Sequence, residues 1–174
     1  LHGMLTNPST PWFALRFKLQ EIDNEDEAKL WLESATDAMY TAFNRSNFQQ
    51  EIFELYHDLI TFGTAAMFIQ EDNEDILKFS TRHINEIFIA EDDKGKIDTV
   101  YRKFKLSVRA AIQQFGNKIS TDIQAQEKKD PYNEIEILHV VYPRSDFDPN
   151  KKDTDNMPFE SVYIEMKNGN ELSV

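Results

Sequence analysis

Between Asp26 and Gln70 the spacing of apolar residues changes period, and that change limits the chain to a mixed fold. In "DNEDEAKLWLESATDAMYTAFN" acids crowd the start, where a helix dipole favours them. Ala28, Trp31, Leu32, Ala35, Met39, Ala42 and Phe43 then recur at helical spacing, predicting a helix over 25–44. A second stripe, Phe48, Ile52, Leu55, Tyr56, Leu59 and Phe62, predicts a helix over 47–62, with Ser46 and Gln49 at the spacing of a capping box. Gly63 falls just past the last turn, where a left-handed residue satisfies orphan carbonyls and glycine meets no Cβ penalty. The run "TAAMFIQ", 64–70, is too short for another helix and apolar on both faces, so it reads as a central strand.

Strand signals dominate elsewhere. Phe13, Leu15, Phe17 and Leu19 alternate with Ala14, Arg16 and Lys18, predicting a strand over 13–21. "EDNED" reads as a turn, and "ILKFSTRH" and "EIFIAEDDKGKIDTVYRKFKL" supply three strands, the last two joined through Asp93-Lys94-Gly95 with Gly95 at the hairpin tip. Ser107 can cap a short helix, "VRAAIQQF", that Gly116 stops, and further helical residues are expected over 119–128. "EIEILHVVYPR" alternates and exits at Pro143. Residues 144–158 are polar and aperiodic, as in a long mobile loop, and "FESVYIE" is a strand before an Asn168-Gly169 turn. The expectation is an α+β fold: an antiparallel or mixed sheet, two amphipathic N-terminal helices and a short helical insertion between strands.

The 174 residues suit one domain over 1–174 that buries roughly 70% of its unfolded surface around one core. The sequence starts at Leu1 and stops at Val174 inside a strand pattern, so we expect a fragment of a longer chain. Cysteine is absent, which excludes disulfides, thiol nucleophiles and Cys-based zinc sites. No apolar run approaches the ~20 residues of a membrane span. The net charge of −12 has the wrong sign for gripping phosphates or anionic lipid.

Catalytic constellations are missing. His2, His57, His83 and His139 stand at no metal-ligand spacing; His57 beside Asp58 and Glu54 reads as an exposed helical residue, and His139 as a satisfied core or edge residue. The acidic runs 23–27, 71–75, 91–93 and 146–155 lack the EF-hand pattern and read as solvated turns. The five glycines are too scattered for a P-loop. In "YRKFK", 101–105, aromatic and basic residues interleave as on a base-stacking surface, but a strand would send Tyr101 and Lys103 to one side and Arg102 and Phe104 to the other, a core-and-rim pattern. No metal and no cofactor is expected. Ser46, Gly63, Gly95 and Gly116 are singled out as structural caps and turns.

Taken in order, "PWFAL", "SNFQQEIFELYHDLITFGTAAMF", "EDDKGKIDTVYRKFKLSVRAAIQQFG", "ILHVVYPR" and "FESVYIE" resemble the head-to-tail connector, or portal, proteins of short-tailed bacteriophages and related prophages. The resemblance implies a non-catalytic structural subunit of a ring, typically a dodecamer, at one capsid vertex, through which DNA is packaged and ejected. It implies capsid, tail and packaging-motor partners, DNA without sequence-specific contact, no membrane, and a place in the virion after assembly in the host cytoplasm. This stretch would correspond to the N-terminal, wing-like part. Two alternatives are a metal-dependent hydrolase or nuclease using the acidic loops, and a prophage adaptor domain that forms no ring.

Overall fold

A computed structural model describes residues 1–18, 25–151 and 153–172. The chain divides into two compact units, Leu1–Ile84 and Asn85–Val174. Each holds its own cluster of buried side chains, where length alone leads one to expect a single core.

The first unit contains α1 (His2–Leu5), α2 (Asp26–Arg45), α3 (Phe48–Phe62), β1 (Ala66–Asp72) and β2 (Ile76–Arg82). Its core is Phe48, Ile52 and Phe79, packed by Trp12, Phe43, Leu55, Tyr56, Met67 and Leu77. The rings interlock: Phe43 stacks on Phe48 at 4.6 Å, and Phe48 meets Phe79 edge-on at 5.1 Å. Asp26 and Glu27 occupy the first turn of α2 and Arg45 its last, both as the dipole prefers. Gly63 ends α3 at φ 76°, its N–H donating to the Leu59 carbonyl at 3.0 Å.

Three local expectations need correction. Residues 13–17 belong to no strand or helix, and 19–21 lie outside the described residues. Alternation requires only one apolar wall, and here the wall is α2: Phe13 stacks on Tyr40 at 4.5 Å and Phe17 on Trp31 at 5.9 Å. Side chains replace ladder partners. The Tyr40 hydroxyl accepts from the N–H groups of Trp12 and Phe13 and donates to the Phe13 carbonyl, and Thr36 Oγ1 accepts from Leu15 N–H.

The capping box does not form either. Ser46 is the C-cap of α2; its Oγ donates to the Phe43 carbonyl and accepts from Phe48 N–H. Asn47 takes the N-cap position of α3 without capping it, because its amide is turned toward β2, and the Gln49 side chain bonds His2 Nε2 at 2.8 Å.

Nor is 64–70 a central strand. Among the described residues β1 pairs only with β2, antiparallel, with Ile69 opposite Phe79 in a two-stranded ribbon. On its other side the ribbon ends at β2, whose outer edge is closed. Asn47 Nδ2 donates to the Phe79 carbonyl (2.8 Å), Asn47 Oδ1 accepts from Phe79 N–H (2.9 Å), and Glu51 Oε2 accepts from Thr81 N–H. The first turn of α3 therefore occupies the positions a third strand would need.

In the second unit β3 (Ile87–Glu91), β4 (Ile97–Ser107), β5 (Glu134–Pro143), β6 (Phe159–Glu165) and β7 (Asn170–Glu171) form one sheet in chain order, with every neighbouring pair antiparallel. Between β4 and β5 the chain inserts α4 (Val108–Phe115) and α5 (Thr121–Glu127). The Ser107 hydroxyl accepts from Ala110 N–H and caps α4, and Gly116 at φ 57° follows its end. Both helices cover one face of the sheet, where Phe104 and Ile137 lie in register and join Val108, Ala111, Phe115, Ile119, Ile123 and Leu172.

Fully buried Glu165 sits beside this cluster. Its carboxylate accepts from the Ser120 N–H and hydroxyl ahead of α5 and from the Asn168 amide. Three donors compensate for the loss of water. The 144–158 segment is closed at its base by a 2.9 Å bond from Arg144 N–H to the Pro158 carbonyl and contains one 3-10 turn, Thr154–Asn156.

Candidate functional site

β4 carries the densest set of basic and aromatic residues, and its pleat separates them. Phe104 points to the helix-covered face and is 7% exposed; Tyr101, on the opposite face, is 39% exposed. Each cation of this stretch is already engaged. Arg102 Nε donates to Glu86 at 2.8 Å while its guanidinium lies 3.8 Å from the Phe104 ring centre. Lys103 pairs with Glu136 at 3.1 Å and Lys105 with Glu134 at 3.0 Å. The Glu134 hydrogen bond and charge raise the Lys105 pKa above its usual value. Phosphate would have to displace a carboxylate at each position, so the strand does not offer the free cations that backbone binding requires.

The sheet face away from the helices has an apolar strip: Tyr101 is opposite Val140, Val140 opposite Val162, and Leu138 opposite Ile164. A shallow hollow there is lined by Thr99, Tyr101, Val140, Tyr142, Val162 and Ile164, with Glu171 at one side. The Tyr142 hydroxyl donates to Glu160 Oε2 at 2.9 Å, and that bond holds the phenol's pKa above normal. No nucleophile and base converge in this hollow.

The histidines are dispersed. His139 is buried, its Nε2 2.8 Å from Ser161 Oγ and its ring stacked on Tyr163 at 4.0 Å, so packing and one hydrogen bond account for it. The His57 side chain is 73% exposed and 3.9 Å from Asp58. His2 bonds Gln49.

Of the acidic runs, 71–75 and 91–93 close turns, whereas in 23–27 Asp26 and Glu27 lie in the first turn of α2, where the dipole favours them, and 23–24 lie outside the described residues. Asp72 Oδ1 accepts from Glu74 and Asp75 N–H, and Asp92 Oδ1 from Lys94 and Lys96 N–H, bonds that lower both carboxyl pKa values. Gly95, at φ 75°, completes the second turn. Among the described residues no group of three or more His, Asp or Glu side chains is arranged to hold a metal ion, and no helix is long and apolar enough to cross a membrane.

Within their own units Asn47, Glu51, Tyr40 and Glu165 make bonds that no sequence motif announces. Asn47 stands at the start of the helix expected over 47–62, while Tyr40 and Glu165 bond across 27 and 45 positions, for which a single sequence carries no local signal.

A sequence model of the family described as bacteriophage head to tail connecting protein matches residues 1–174. Over 163 residues, 92% of this chain, it is 32% identical to a "Probable portal protein" of Bordetella phage BPP-1 and 33% identical to a "Portal protein" of Salmonella phage epsilon15. The chain spans 29% of the length of each relative. The whole-length match shows that this chain belongs to the bacteriophage head to tail connecting protein family.

Proposed function

We propose that this chain is the N-terminal, wing-like part of a portal subunit, which assembles with further copies into a ring, a dodecamer in the full-length protein, at one vertex of a phage capsid. DNA enters and leaves through the ring, and capsid, tail and packaging-motor proteins dock on it. The subunit works through protein contacts and catalyses nothing. The family match along the whole chain carries this reading.

Charge supports it. A conduit must let a polyanion slide, and each phosphate held by a free Lys or Arg adds to a ladder of contacts that would retain DNA. Here the net charge is −12, and the cations of β4 are paired with carboxylates.

Electron microscopy of the full-length protein is the direct test. Annular particles are expected; a field of monomers would count decisively against the portal reading.

A further inference from the structure

The two edges of the β1–β2 ribbon differ. Asn47 and Glu51 occupy the outer backbone groups of β2, at Phe79 and Thr81. In the antiparallel register Phe79 faces Ile69 and Thr81 faces Met67, so the N–H and C=O groups of Met67, Ile69 and Glu71 point away from β2. Among the described residues nothing pairs with them. This edge has no proline, lysine or bulge to deter pairing, and Ile69 is 56% exposed. An open apolar edge of this kind is a template for another strand.

The same unit holds a segment suited to fill it. The backbone of Trp12, Phe13 and Leu15 is bonded by Tyr40 and Thr36, whereas among the described residues the backbone groups of Ala14 and Arg16 bond nothing. Arg16 and Lys18 are exposed, and no carboxylate among the described residues pairs with them. Acids lie at the C-terminal end of β1, at Glu71, Asp72, Glu74 and Asp75.

We propose that the open edge of β1 in one copy takes residues 14–18 of a second copy as an added parallel strand. Parallel direction follows from the charges, because only then do the cations at the end of the segment lie beside the acids at the end of β1. In that register Ala14 sits opposite Phe68, Arg16 opposite Gln70 and Lys18 opposite Asp72. Arg16 N–H donates to the Ile69 carbonyl, and Glu71 N–H donates to the Arg16 carbonyl. Pairing β1 with β1 of another copy would close a two-fold dimer and stop there. Two different surfaces make a head-to-tail contact that propagates around a ring. The choice of a second copy as occupant therefore rests on the ring reading above.

Disulfide trapping tests it. The present chain contains no cysteine, so Arg16→Cys and Gln70→Cys would be introduced together into the full-length protein, cleared of any other cysteine. After mild oxidation a non-reducing denaturing gel should show a ladder of covalent multimers for the double variant and monomers for each single variant. Rings without a ladder, or dimers from Gln70→Cys alone, would overturn the contact while leaving the ring reading intact. A ladder from protein that forms no rings would support the contact and refute the ring; neither ladder nor rings refutes both. Independently, Ile69→Pro removes one outer N–H from an edge strand, where proline is tolerated. It should lower the assembled fraction by about tenfold with the circular dichroism spectrum unchanged; undiminished assembly would also overturn the proposal.

Discussion

At Gly63 the backbone alone selects the residue. A Cβ added there would meet nothing within 4 Å, so the cost of any other side chain is the left-handed conformation at φ 76°. Gly63→Ala should destabilise the fold by about 1 kcal/mol, read by denaturant unfolding. Asp92 makes a pH prediction. Its carboxylate accepts two backbone N–H groups, which lower its pKa below the ordinary 3.8. A carboxyl with a depressed folded pKa adds stability above its unfolded value and loses it as pH falls through the folded one. A carboxyl-detected NMR titration should therefore give Asp92 a midpoint below that of the unfolded chain, with amide exchange at Lys94 and Lys96 quickening in the same acid range. The glycine was legible because one residue type answers one backbone need. Ser46 was not, since a serine between two helices can serve either, and only the direction of the Asn47 amide decides.

At the scale of elements the ribbon depends on α3. Asn47→Ala would strip donor and acceptor from Phe79 of β2 and should cost about 1–3 kcal/mol, measured by thermal or denaturant unfolding, because those groups are left without partners. Tyr40→Phe keeps the stack on Phe13 but loses three hydrogen bonds to the 12–13 backbone, and a loss of about 1–2 kcal/mol is expected. The second unit was well legible: its strands alternate, its hairpin turns carry Asp92 and Gly95, and Ser107 caps α4 as its position suggested. The 13–17 stretch was not, because period two records one buried side and does not say whether a sheet or a helix buries it. The count of strands in a sheet is equally silent in sequence when side chains, as at Asn47 and Glu51, close an edge.

Over the whole molecule the family was more legible than the architecture. Separate short segments kept their order along the chain, whereas the division at Ile84 and Asn85 follows from which side chains bury each other. Paired cations and net charge −12 lead to a further expectation: the 1–174 chain should show no mobility shift with duplex DNA in the micromolar range at physiological salt. A tight, salt-sensitive complex would contradict the conduit reading. The interior of the second unit is closed by Leu172, and the start of α5 is held by Glu165, 45 positions after Ser120. Residues 1–84 can therefore collapse on the ribosome as soon as they emerge, while β4 and the two inserted helices wait for almost the whole of the remaining sequence. Slow translation near residues 160–172 would prolong the time their apolar faces stay uncovered, so ribosome-associated chaperones should crosslink most strongly to nascent chains stalled just before that point.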